Sequence, residues 1–359
     1  MKTITQFILI ILSSANLLAQ NKLIFHTESV DSLLVWMQDG CNKNNIDNLV
    51  LQPATQLMEQ LLRHNEKGDI PTFKETLQEF NRKDTLSGNI YMLNTAYRKQ
   101  AEMENLINKI RNTDFSENVY NRVLKYFPES YVPSRNYEVF FTPVGWQWGD
   151  AMMFSYIVKD GKYLISGEGT PAFMFNLTIV SMLYGDNTTQ QMSALEDVMS
   201  HELFHAVFFD YTNSNWSFGN NENINNTALT LMLNEGVAHY IADGELLRSD
   251  YDKDDNLKQK ELQAFALLSD GVKIIFNTEY SDEIRRNAIH SGTFGDYWTK
   301  YMCIPGMFMS YQIEQHYGIE GIQECVKNGA IYFMKKYESL RKIKTQLPKL
   351  PKEIIKFIE

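Results

Sequence analysis

Two histidines four residues apart, with a glutamate directly after the first, are the residues of this chain best suited to chemistry: His201-Glu202-Leu203-Phe204-His205. On a helix, side chains at i and i+4 lie one above the other, so both imidazoles can reach one metal ion while Glu202 projects beside them toward a water on that ion. Two imidazoles need a further ligand. Two neutral nitrogens plus one carboxylate suit Zn2+ and leave a fourth position open for water, whose pKa the ion lowers toward neutrality. Glu202 could then take the proton and return it to a leaving group. The three cysteines, Cys41, Cys303 and Cys325, offer no Cys-x-x-Cys spacing for a thiolate site or redox pair, and their odd number permits at most one disulfide.

Beyond the intervening stretch 206–232 comes a second motif, Leu233-Asn234-Glu235-Gly236-Val237-Ala238-His239-Tyr240, on its own predicted helix. HExxH followed by an Asn-Glu-Gly-x-Ala helix resembles the gluzincins, zincin metallopeptidases whose third ligand is glutamate. Leu-Asn-Glu-Gly-Val-Ala is similar to the third-ligand helix of aminopeptidase N relatives. His-Glu-Leu-Phe-His-Ala-Val, with Asp210-Tyr211-Thr212 shortly after, is similar to the metal helix of thermolysin. The likeness covers about 190–245, and 300–333 more weakly. In its order of helices, short sheet, HExxH helix, Asn-Glu-Gly helix and Gly-led helix, the chain also resembles uncharacterised bacterial proteins described as zinc-dependent peptidases.

The resemblance implies that His201, His205 and Glu235 hold zinc, that Glu202 is the general base for peptide hydrolysis, and that Gly236 lets two helices pack closely around the ion. The chain departs from these families in several places. The interval between His205 and Glu235 is longer than in aminopeptidase N relatives, an excess that a loop absorbs at small entropic cost. His239 stands where thermolysin-like enzymes carry an aspartate that orients the first histidine; it either takes over that hydrogen bond or packs. No Gly-x-Met-Glu-Asn amine-binding segment precedes the metal helix, and Gly167-Glu168-Gly169 is not a match, so an endopeptidase is favoured over an aminopeptidase. In aminopeptidase N relatives a tyrosine three residues ahead of a glycine steadies the oxyanion. Counting back from Gly306, that place holds Cys303; Tyr301 is the nearest replacement, with Tyr297 and His290 as rivals.

Several elements must position these residues. From 29 to about 127 apolar residues recur at helical spacing, as in Leu33, Leu34 and Met37 and again in Leu57, Leu61 and Leu62, which predicts a run of helices. Its His26 and His64 are isolated. Segments 137–142, 151–158, 162–166 and 172–180 are short and rich in aromatic and β-branched residues, and Asp160-Gly161 signals a hairpin, so a small, mostly antiparallel sheet is expected. Residues 173–178 are the candidate edge strand for an extended peptide. Ser193-x-x-Glu196 fits a capping box opening the metal helix. Further helices are expected at 229–242 and 306–316, the last ended by Gly318, with 212–227 as an Asn-rich loop.

Residues 1–19 read as a secretory signal: Lys2, a short apolar core, and Leu17-Leu18-Ala19 before cleavage, giving an exported mature chain that begins at Gln20. No later segment is long and apolar enough to span a bilayer. The formal net charge of −10 argues against a nucleic-acid partner. The expected fold is α+β, a helical region at 20–135 preceding a zincin-like catalytic region at 136–359, acting on a peptide or protein. A non-catalytic zinc scaffold on the same fold, or a zinc hydrolase of another amide or ester, are the alternatives.

Overall fold

The computed structural model describes residues 23–65, 70–82, 90–145, 149–216 and 223–359. The expected signal and the middle of the Asn-rich loop lie outside the described residues. Strand β1 (Leu23–His26) opens the described chain. Next come the helices α1 (Glu28–Gln38), α2 (Ile46–Val50), α3 (Pro53–Asn65), α4 (Phe73–Glu79), α5 (Leu93–Arg98), α6 (Gln100–Asn112) and α7 (Phe115–Leu124). The middle segment holds β2 (Tyr137–Thr142), β3 (Ala151–Lys159), β4 (Lys162–Ile165) and β5 (Thr170–Asn176). The remainder is helical: α8 (Leu177–Leu183), α9 (Thr188–Asn215), α10 (Ile224–Asp250), α11 (Asp255–Ile275), α12 (Asp282–Ser291), α13 (Ile304–Tyr317), α14 (Ile319–Asn328), α15 (Ala330–Ile343) and α16 (Lys352–Ile358).

The fold is α+β, with a five-stranded sheet ordered β1-β2-β5-β3-β4. The sheet is mixed rather than mostly antiparallel: β2 runs parallel to both β1 and β5, and β3 is antiparallel to β4 and β5. Two causes separate this from the sequence expectation. The short strand β1 joins from ahead of the helical run, and β5 returns beside β2 only after the β3–β4 hairpin. The hairpin turn itself is as expected, with Asp160 (φ 51°) and Gly161 (φ 74°) both left-handed, the conformation that matches strand twist in a two-residue turn.

Strand β5 stops at Asn176, where segment 172–180 was expected to continue as strand. The Asn176 side chain accepts from the Thr178 amide at 3.2 Å and caps α8. With β2 on one side and β3 on the other, β5 is an internal strand, so the assignment of 173–178 as the peptide-binding edge is wrong. The edge strands are β1 and β4, and β4 is too short to cover the whole of β3. Hairpin partner β4 pairs only with 156–159, and no described strand pairs with 151–154 on the side away from β5.

A continuous apolar core runs from Leu23 through Phe140, Phe204 and Met232 to Ile358. Helices α1 and α3 pack on the sheet at β2, α6 and α7 pack on α9, and α9 reaches β3. Within the helical half, α10 and α13 cross at two glycines. A Cβ on Gly236 would lie 2.5 Å from Gly306 Cα, and one on Gly306 would lie 2.3 Å from the Met232 carbonyl oxygen. Gly236 thus permits the approach of α13, rather than that of the HExxH helix that the resemblance implied.

Candidate metal centre

Helix α9 is capped by Asn187, whose side chain accepts from the Gln190 amide at 3.1 Å; Ser193 is inside the helix and is not its cap. Leu195, Met199, Leu203, Phe204, Val207, Phe208 and Tyr211 are buried along it, which turns the adjoining stripe of His201, Glu202 and His205 toward a partly accessible space. Helix α10, capped by Asn223 and longer at both ends than the predicted 229–242, faces that stripe with Glu235.

Both helices are fastened from elsewhere in the chain. Arg122 of α7 pairs with Asp197 of α9 at 2.6 Å and donates to the Ile241 carbonyl of α10 at 2.6 Å. Arg135 grips both carboxylate oxygens of Asp210 at 2.6 and 2.8 Å, and the Tyr137 hydroxyl donates to the same carboxylate at 2.9 Å. Such charge-assisted, two-point contacts fix the rotation of a helix as well as its position.

At the centre, His201 Nε2 and His205 Nε2 are 3.0 Å apart. Glu235 Oε2 lies 4.0 Å from His201 Nε2, and Glu235 Oε1 lies 3.8 Å from His205 Nε2. Donors bonded to one tetrahedral zinc at about 2.0–2.1 Å stand roughly 3.3–3.5 Å from one another, so this triangle is close to the required size. The side chains are 16%, 13% and 21% exposed in that order, enough for solvent to reach the pocket they form. Burial holds His201 well below its ordinary pKa, and the neighbouring His205 and His239 add to the effect. The ring is therefore neutral, with a lone pair for a metal. His205 Nδ1 is 3.0 Å from Asn234 Oδ1.

Glu202 lies in the same space. Burial pushes its carboxyl above the usual range; His205 opposes the shift, and the carboxylates of Glu235 and Asp150 reinforce it. The Tyr184 hydroxyl donates to Asp150 and is itself held protonated, first by burial and then by Asp150 and Glu202.

Of the tyrosines weighed from the sequence, Tyr301 packs against Gly271 and Gly292 and donates its hydroxyl to the Ala288 carbonyl. No described contact joins it to the His–Glu cluster. Tyr297 does meet the cluster: its ring stands edge-on to His239 at 5.5 Å and its hydroxyl donates to Asp243 at 2.6 Å. Cys303 brings its Sγ within 3.6 Å of Glu235 Oε2, and burial followed by the Glu235 charge keeps the thiol protonated. Sequence reasoning missed Asp243, Asp150 and Tyr184. Asp243 carried a signal, since it stands four residues after His239, but the other two come from separate elements and carried none.

Two imidazoles on one helix and a carboxylate on a second, over a small mixed sheet, define a candidate mononuclear zinc centre on an α+β fold. Residues 46–345 match the family model described as "Putative zinc dependent peptidase (DUF5700)", and the chain belongs to that family. No curated protein and no solved structure matches it. The family is described as zinc dependent, and the imidazole and carboxylate donors gathered here are ones that zinc takes.

Proposed function

We propose that this chain is a zinc-dependent peptidase in which His201, His205 and Glu235 hold the ion and Glu202 is the general base. The observation that carries the reading is the convergence of two imidazoles from α9 and a carboxylate from α10, with donor atoms 3.0–4.0 Å apart and a buried carboxyl beside them. Bound zinc supplies the Lewis acidity that makes water a nucleophile near neutral pH. Glu202 accepts the proton released on attack and passes it to the leaving amine. Its raised pKa makes it a stronger acceptor than a solvated carboxylate.

The substrate is an extended peptide paired along 151–154 of β3. In the register with β5, Ser155 turns its carbonyl to Ser166 on the far side, so the backbone groups of Ala151 and Met153 share that direction and are offered at the open edge. An open strand binds the middle of a peptide by its backbone, which favours internal cleavage. The chain is exported, with its N-terminus at Gln20; N-terminal sequencing of protein from the cell envelope or medium tests this. For the activity, purified mature protein is incubated with a diverse peptide mixture, with and without chelator, and new termini are read by mass spectrometry. Chelator-sensitive cleavage at internal bonds is expected. No cleavage of any peptide by zinc-loaded protein would replace the enzyme with a zinc scaffold.

A further inference from the structure

His239 has no part in the three-ligand reading, and any role for it on the same ion rests on that reading. Glu235 and His239 stand at i and i+4 on α10, as His201 and His205 do on α9, so each helix presents a column of two donors to a shared space. His239 Nε2 lies 3.9 Å from Glu235 Oε2, and its ring meets that of His201 edge-on with centroids 4.6 Å apart. Donor atoms of His201, Glu235 and His239 all fall within 4.8 Å of one another.

The outer side of the ring is equally specific. His239 Nδ1 faces Asp243 Oδ2 at 3.7 Å, and that oxygen accepts from the Tyr297 hydroxyl at 2.6 Å. Metal-ligating histidines almost always turn their second nitrogen to a carboxylate, a carbonyl or water, which fixes the tautomer with its lone pair on the metal side. His205 does the like with the Asn234 side-chain oxygen, 3.0 Å from its Nδ1. A histidine that only filled space would need neither the inward Nε2 nor the braced carboxylate behind it.

We propose that His239 is a fourth protein donor to the ion held by His201, His205 and Glu235, with Asp243 and Tyr297 holding its ring in the ligating orientation. Zinc accommodates five donors, so a fourth protein ligand leaves room for water.

Zinc K-edge X-ray absorption on the zinc-loaded full chain counts the imidazoles. Three are expected in the parent and two in His239→Ala, with zinc affinity in chelator competition at least about tenfold weaker in the variant. Tyr297→Phe should keep three imidazoles while lowering affinity by a smaller factor. Stoichiometric zinc with two imidazoles in the parent overturns the proposal and leaves the three-ligand reading intact. An unchanged count in His239→Ala does the same. Absence of zinc uptake by the parent, or an unaltered spectrum and affinity in Glu235→Ala, overturns the underlying site instead. If His239→Ala does not fold without metal, the parent's count alone decides.

Discussion

Glu202 lies between the two histidines proposed as metal donors, yet its substitution should leave the ion in place. Replacement by Gln keeps the size and removes the proton acceptor. Glu202→Gln is therefore expected to retain zinc content and melting temperature while turnover falls by roughly two to four orders of magnitude. Near-parental turnover in that variant would hand the base role to another group. A second buried acid permits a test in the absence of metal. Glu261 accepts from the Tyr251 hydroxyl through one oxygen and is buried enough that its pKa rises to about 7. Because the folded value lies above the ordinary 4.5, the carboxyl costs the fold nothing when protonated in both states. The cost appears as pH climbs through 4.5 and is complete once it passes about 7. Glu261→Gln, which preserves an acceptor for Tyr251, should thus match the parent near pH 4 and gain about 1–3 kcal/mol by pH 8 in denaturant titrations. A constant difference across that range would assign the effect to packing.

Helices α10 and α13 approach so closely at Gly236 and Gly306 that a single methyl group has no space. Gly236→Ala should cost about 1–3 kcal/mol by overpacking and also weaken zinc binding, since Glu235 precedes it and must move with the backbone. Gly167→Ala is the matched control, because a Cβ there meets nothing within 4 Å; its melting temperature and zinc affinity should equal the parent's. The crossing was legible in the sequence only as a glycine beside a proposed ligand, and the resemblance suggested the wrong neighbour. Elements with strong local patterns were legible: 137–142 as strand, Asp160-Gly161 as turn, and Gly318 as the end of α13. Helix α8 was not, since Leu177, Ile179 and Val180 are as apolar and β-branched as a strand, and the Asn176 cap settles the matter. Strand order lay beyond local pattern altogether, which is why β5 read as an edge. At the centre, HExxH and Asn-Glu-Gly could be seen because each lies within one turn of one helix. Of the Tyr297–Asp243–His239 series, the i, i+4 spacing on α10 was visible, but the joining of Tyr297 to it from the turn before α13 was not.

At the scale of the whole molecule the early helices share the core with α9 and α10, and Arg122 adds a polar link to both of them. Its side chain is 21% exposed, and its guanidinium reaches both Asp197 on α9 and the Ile241 carbonyl of α10, the helix that carries Glu235. Arg122→Ala should lower stability by about 1–3 kcal/mol, because the groups it leaves are partly buried, and should weaken zinc binding by altering the spacing of the two helices. Loss of stability with unchanged zinc affinity, measured by competition below the melting range, would show that the helices keep their spacing without it. The family match, from 46 to 345, runs through both the helical region and the site, in keeping with one core that includes them. That unity has a consequence in time. Leu23 pairs with Tyr137 and His26 with Phe140, while all of α1 to α7 lies between them in the chain. At about 5–20 residues per second, β1 waits on the order of ten seconds after synthesis for β2 to exist. The helices between can coil within microseconds, but the sheet cannot close until this distant partner arrives. The first described strand is thus among the last satisfied, and for that interval its backbone groups stand without the partner that the finished sheet gives them.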